Sequence, residues 1–81
     1  MTNAIIDTYT STTANAVKFE DGYAMSTVND GDLIAISVFT PGNDLVALEK
    51  FATADEMRAK AELVRKLIRT YGGAAYARMT A

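Results

Sequence analysis

Three arginines that recur along one predicted helix carry the most evident chemistry in this chain. Arg58, Arg65 and Arg69 fall within a narrow arc beside an apolar stripe. Planar guanidinium groups bind carboxylates and phosphates through paired hydrogen bonds. The arc therefore predicts a partner-binding surface for an acidic protein or for nucleic acid, although nucleic-acid binding usually requires a basic domain. A solvated helix face is the alternative, since Glu62 lies among the three arginines.

Other polar clusters fit structural roles better than catalytic or metal-binding roles. The stretch "NDGD", residues 29–32, lacks the length and the bidentate glutamate of a calcium loop, and its residue types build tight turns by themselves. The chain has no histidine and no cysteine, so serine and threonine hydroxyls have no usual activating base and no thiolate is present. We expect no enzyme activity, no cofactor and no metal site.

Length and charge narrow the class of protein. The 81 residues predict a single domain, residues 1–81, whose core is so small that self-association would help to stabilise it. Net charge is −2, and every lysine and arginine except Lys18 lies in residues 50–81. The first ten residues lack the basic start and apolar run of a signal peptide, and no segment approaches the roughly 20 apolar residues of a membrane span. We expect a cytoplasmic protein without a membrane partner.

The elements that must position these residues begin with a hairpin around "FEDGYAM", residues 19–25. Hydrophobic register favours a three-residue loop, Glu20–Gly22, with Gly22 in a left-handed bulge conformation. This loop pairs Val17 with Met25 and gathers the apolar side chains of both strands on one face. A two-residue loop would scatter them over both faces.

Further strands flank this hairpin. A first strand is predicted at Asn3–Tyr9. After the hairpin, a two-residue Asp30-Gly31 loop would pair Met25 with Ile36. A loop of three or five residues around "TPGND" then leads into "LVALEKFA" and places Val46 and Leu48 on the common apolar face. The resulting plan is an antiparallel β-meander of three to four strands.

One helix follows the strands. The stretch "TADE", residues 53–56, matches a capping box, and the helix is predicted to run to about Tyr71 and stop at Gly72-Gly73. Its apolar stripe consists of Met57, Ala61, Val64, Ile68 and Tyr71. The pattern of the tail, residues 74–81, is compatible with a short strand, a helical turn or disorder. The fold class is therefore α+β, with one C-terminal helix packed on the sheet.

The stretch "DLIAISVF", residues 32–39, is too apolar for a strand with one face in water. The helix would cover Val17, Phe19, Tyr23, Met25, Ile34, Ile36 and Val38. The opposite face would carry Val28, Leu33, Ala35, Phe39, Leu45, Ala47 and Phe51. No second helix is predicted to cover that face, so Leu33, Phe39, Leu45 and Phe51 are predicted interface residues. A second copy is the simplest cover, as two sheets face to face or as one sheet continued across a two-fold axis.

The plan carried by "FEDGYAM", "DLIAISVF" and "TADEMRAKAELVRKLIRTYGG" resembles the small accessory proteins that bacteriophages encode, among which anti-CRISPR-type inhibitors of host defence are best known. The resemblance implies a stoichiometric, non-enzymatic inhibitor or accessory factor, often a homodimer, that occupies a surface on a larger host protein or nucleoprotein complex in the host cytoplasm. It assigns no site residue. Two other functions fit the residues: nucleic-acid binding through the three arginines, and a ligand-binding sponge with its cavity between subunits.

Overall fold

A computed structural model describes residues 2–80 as an antiparallel sheet with helices on one side. The elements are β1 (Ile5–Thr10), β2 (Ala14–Phe19), β3 (Ala24–Asn29), β4 (Ile34–Phe39), β5 (Leu45–Lys50), α1 (Ala54–Tyr71) and α2 (Gly73–Thr80). The strands lie across the sheet in sequence order. The α+β class and the antiparallel meander are confirmed, but the described chain has five strands where three to four were predicted. It also has two helices where one was predicted.

The β2–β3 hairpin has the predicted register. Val17 pairs with Met25, and the Phe19 backbone N–H donates to the Tyr23 carbonyl over 2.8 Å. Gly22 has a φ of 90°, in the left-handed region that a side chain disfavours. This pairing and the Gly22 conformation confirm the three-residue loop. The loop places the apolar residues of both strands on one face.

The β3–β4 register differs from the prediction by two residues. Met25 pairs with Val38 and not with Ile36. The turn is wider than two residues because the Asp30 carboxylate accepts the backbone N–H of Leu33 over 2.8 Å. Since side chains in a strand alternate with period 2, a shift of two residues leaves every apolar side chain on its predicted face.

A bulge in β5 reverses the predicted faces of that strand from Ala47 onward. Phe39 pairs with Leu45, which matches the predicted five-residue loop, but Val38 pairs with Ala47. The extra residue between these pairs shifts the alternation by one. Ala47 therefore lies on the helix side and Leu48 on the opposite side, which is the reverse of the prediction.

Helix α1 begins as the capping box predicts. Thr53 is the N-cap, and its Oγ1 accepts the Glu56 backbone N–H over 3.2 Å. The buried stripe on α1 consists of Met57, Ala61, Val64 and Ile68. Tyr71 was predicted in this stripe but is 62% exposed. The chain turns into α2 directly after Tyr71, and Tyr76 of α2 fills the core in its place.

Helix α2 is held by a residue of the distant β2–β3 hairpin. The Asp21 Oδ2 accepts the Gly73 backbone N–H over 2.7 Å, and Oδ1 of the same carboxylate accepts the Tyr23 N–H over 3.1 Å. A carboxylate at a helix N-terminus also interacts favourably with the helix dipole. One side chain therefore stabilises both a turn and a helix start.

Asp21→Ala should lower the free energy of unfolding by about 0.5–2 kcal/mol, the usual cost of a lost helix cap. Asp44→Ala is the matched control, because it removes the same charge from an exposed turn where no hydrogen bond to the carboxylate is found among residues 2–80. Urea denaturation followed by circular dichroism measures both. Equal stability of the two variants would show that Asp21 does not hold α2.

Candidate binding surfaces

The predicted partner-binding residues Arg58, Arg65 and Arg69 lie on the side of α1 that faces β1 and β2. A groove of about 420 Å³ separates Arg58 and Arg65 on the helix from Asn15 and Thr27 on the sheet. A second hollow of about 360 Å³ shares Arg65 and extends to Arg69. The structure thus brings all three arginines to two adjoining hollows that share Glu62 and Arg65. We call the two hollows together the basic groove, formed by Arg58, Glu62, Arg65 and Arg69 on α1 and by Asn15 and Thr27 on the sheet.

The groove exists because the sheet is polar where the helix does not cover it. Thr10, Asn15 and Thr27 form one cross-strand row on the helix side. Helix α1 packs on β3 and β4, where the same row continues with Ile36. Burial of apolar area is what draws a helix onto a sheet. The polar end of the row offers little apolar area, so a groove remains above it.

The arginines differ in their engagement with the rest of the chain. The Arg58 guanidinium lies 2.8 Å from Asp55 Oδ1, in a pair whose side chains are 65% and 93% exposed. Such a surface pair stabilises a protein by little. Arg65 is half-buried, and the only other salt bridge within residues 2–80 joins Lys60 to Glu49. The guanidinium groups of Arg65 and Arg69 are therefore available to an external anion.

Thr27 is a functional candidate that the sequence analysis missed. It is the one buried polar residue among residues 2–80, at 7% exposure, and it lines the basic groove. No hydrogen bond joins its hydroxyl to another described residue, and no buried side-chain polar atom of the described chain lacks a partner. The hydroxyl oxygen therefore keeps some solvent-accessible surface, on a residue that lines the groove. Only the strand register could have indicated this, because the sequence does not show which polar strand residues face the helix.

The opposite face of the sheet has small side chains in its middle and large ones at its edges. In its central row, Ala16, Ser26 and Ser37 lie between Tyr9 on β1 and Leu48 on β5. Tyr9 is 64% and Leu48 53% exposed. Both helices contribute to the core on the other face. We call this surface, which also includes Phe39 and Leu45, the open face.

The structure separates the four predicted interface residues. Phe39 and Leu45 form a cross-strand pair on the open face, and Leu33 lies in the loop before β4 at 37% exposure. Phe51 does not belong with them. Its backbone N–H donates to the Ile34 carbonyl over 2.8 Å, and its side chain packs against the core. The predicted placement of Phe51 on the face opposite the helices is wrong, because the β5 bulge shifts the alternation of side chains by one and thereby turns Phe51 toward the helices.

A third depression lies within the subunit, between β5 and the two helices. Its volume is about 320 Å³, and its lining combines the core residues Ile36 and Val64 with Glu49 and Tyr76. Burial raises the pKa of the Tyr76 hydroxyl, and the Glu49 carboxylate raises this pKa further. Glu49 also lies close to a lysine, with Lys60 Nζ 3.6 Å from its Oε1. Because its pKa is raised, the Tyr76 phenol stays protonated at neutral pH and is not a poised nucleophile or base.

Neither a cluster of metal-binding side chains nor a membrane-spanning helix is found among residues 2–80. No group of three or more acidic, histidine or cysteine side chains in this part of the chain could hold a metal ion. The acidic "NDGD" stretch forms a turn in which Asp30 accepts backbone N–H groups. Neither described helix combines the length and the hydropathy that crossing a membrane requires.

Comparison with protein-family models, with curated proteins and with solved structures finds no match to this chain in any of the three. The basic groove and the open face are the two surfaces of residues 2–80 that bear on function.

Proposed function

We propose that this protein is a small, non-enzymatic protein-binding module that self-associates through its open face and acts by occupying a surface on a larger partner. The open face carries the proposal, because Tyr9, Leu45 and Leu48 are each more than half exposed on it. The helices lie on the other side of the sheet. Exposed apolar surface of this kind on a small protein marks an interaction site. The lack of histidine and cysteine favours binding over catalysis.

The dimensions of the open face suit a second copy. Five strands about 4.8 Å apart and about 20 Å long present roughly 500 Å² per subunit. Two such faces would bury about 1,000 Å² in total, at the lower bound of specific interfaces. A two-fold axis parallel to the strands would place β1 of one subunit over β5 of the other, so that Tyr9 meets Leu48 of the second copy. We expect a weak dimer that dissociates on dilution.

Face-to-face packing is favoured over one sheet continued across a two-fold axis. Both edge strands carry irregularities: the β1–β2 register shifts between Ile5 and Asp7, and β4–β5 shifts between Val38 and Phe39. Bulges and charges on edge strands oppose pairing with another strand. The open face has no such protection in its central row.

The larger partner is proposed from the resemblance to phage-encoded inhibitors, which act stoichiometrically on host complexes. On this proposal the dimer presents two identical copies of the basic groove, one on each outer side. A two-fold arrangement of sites raises the effective concentration of the second contact on a partner with repeated subunits.

The test is the oligomeric state of Ser37→Arg, which places a long charged side chain in the central row of the open face. We expect wild type to form a dimer at high micromolar concentration and Ser37→Arg to remain a folded monomer, because the arginine would be buried without a partner. Thr8→Arg is the matched control on the helix side of exposed strand β1 and should dimerise like wild type. Sedimentation velocity distinguishes the species. A wild type that is monomeric throughout the concentration range would refute the open-face dimer.

A further inference from the structure

We infer that the basic groove binds a short, extended, acidic segment of a partner polypeptide. The inference rests on the proposed function as a protein-binding module, but it concerns a surface separate from the open face. Three observations carry it: the spacing of the arginines, the polar sheet wall opposite them, and the absence of aromatic side chains from the lining.

The spacing of the arginines matches carboxylates on an extended chain. Arg65 and Arg69 are four residues apart on α1, which corresponds to about 6 Å along the helix axis, and Arg58 lies about 10.5 Å from Arg65. In an extended polypeptide, alternate side chains point to the same side at intervals of about 6.7 Å. Two acidic residues at positions i and i+2 would therefore meet Arg65 and Arg69. A third, four residues from the one that meets Arg65, lies on the same side and would come within reach of the long Arg58 side chain.

The opposite wall of the groove can bind the backbone of such a segment. Asn15 is exposed there with an amide that can both donate and accept. Thr27 adds a hydroxyl that has no hydrogen bond to the described chain. A bound segment would exclude water from this hydroxyl, so a peptide N–H or carbonyl must replace the lost hydrogen bond. The arginines on the helix wall select acidic side chains, and the polar side chains on the sheet wall bind backbone amides. An acidic polypeptide offers both groups.

The composition of the lining favours this occupant over nucleic acid. The residues that line the two hollows include no aromatic side chain on which a base could stack. Glu62 lies among the arginines, and its carboxylate can accept a peptide N–H, a donor that a phosphate backbone lacks.

The test measures fluorescence anisotropy of a labelled oligoglutamate about ten residues long, which spans the groove with a margin. Oligoglutamine and oligothymidylate with the same label are the comparison probes. We expect wild type to bind oligoglutamate, to bind oligoglutamine at least about tenfold more weakly, and to lose affinity as salt is raised. Tighter binding of oligothymidylate than of oligoglutamate would overturn the inference in favour of nucleic acid.

Two variants locate the binding. Arg65→Glu/Arg69→Glu should weaken oligoglutamate binding by about tenfold or more, whereas Lys50→Glu/Arg78→Glu changes net charge equally outside the groove lining and should stay within about twofold of wild type. Asn15→Phe fills the groove without changing charge and should weaken binding by about fivefold. Circular dichroism confirms folding of each variant.

If both charge variants lost the same affinity for oligoglutamate, net charge and not the groove would explain binding. If Asn15→Phe bound oligoglutamate with wild-type affinity, the peptide would bind to the helix surface alone. Either result overturns the groove. A monomeric wild type that still binds oligoglutamate would refute the open-face dimer and leave the groove standing, so the two proposals fail separately.

Discussion

Replacing Ile36 with aspartate should unfold the chain, whereas replacing Phe39 with aspartate should leave a folded monomer. Ile36 is 4% exposed in the core between the sheet and the helices. A carboxylate at this position loses its hydration, and the cross-strand neighbour is Glu49, which adds repulsion between like charges. This substitution costs several kcal/mol. The free energy of unfolding of a chain of this length is only about 4–12 kcal/mol, so the cost is enough to unfold it.

Phe39 differs because it lies on the open face, next to Leu45. An aspartate there contacts water in the free subunit and is buried only if a second copy covers it, so the dimer dissociates and the subunit stays folded. Circular dichroism combined with light scattering measures both variants. A folded Ile36→Asp would show that the two faces of the sheet are assigned wrongly, and a dimeric Phe39→Asp would move the interface away from the open face.

Replacing Gly73 with valine should detach α2 from the rest of the structure. A side chain at this position would overlap the Tyr23 ring, because the backbone of α2 passes directly against it. Overpacking of this kind costs about 1–3 kcal/mol and sometimes more. Displacement of α2 would also withdraw Tyr76 from the core. We therefore expect a lower free energy of unfolding together with increased binding of a hydrophobic dye.

Ala74→Val is the matched control, since it adds the same side chain at the next position of α2, which is exposed. It should differ little from wild type in urea denaturation. Tyr23→Ala combined with Gly73→Val should recover part of the loss, because removal of the ring makes room for the valine, and the coupling energy of this double-mutant cycle reports the contact. Additive effects, or a Gly73→Val variant as stable as the control, would contradict close packing of α2.

The sequence by itself determined the features that depend on neighbouring residues. The three-residue loop at Gly22 follows from turn chemistry and from the alternation of apolar residues on either side of it. The start of α1 at Thr53 follows from the capping box. The helix-covered face of the sheet was also predictable. The β3–β4 register was predicted wrongly by two residues, but a shift of two residues leaves each side chain on the same face. The arc of Arg58, Arg65 and Arg69 follows from the helical period alone.

Only the tertiary structure decided what these local features face. One extra residue in β5 reverses the faces of that strand from Ala47 onward and turns Phe51 to the core, and no local pattern marks the position of a bulge. Helix α2 forms on a carboxylate and a ring that the β2–β3 hairpin supplies from about 50 residues away. Likewise, Thr27 lines the same groove as Arg58 and Arg65 because the polar end of its cross-strand row, Thr10 and Asn15, is left uncovered by the helices. These are contacts between distant segments, and their energies depend on how the elements pack against one another and not on the residues next to them in the chain.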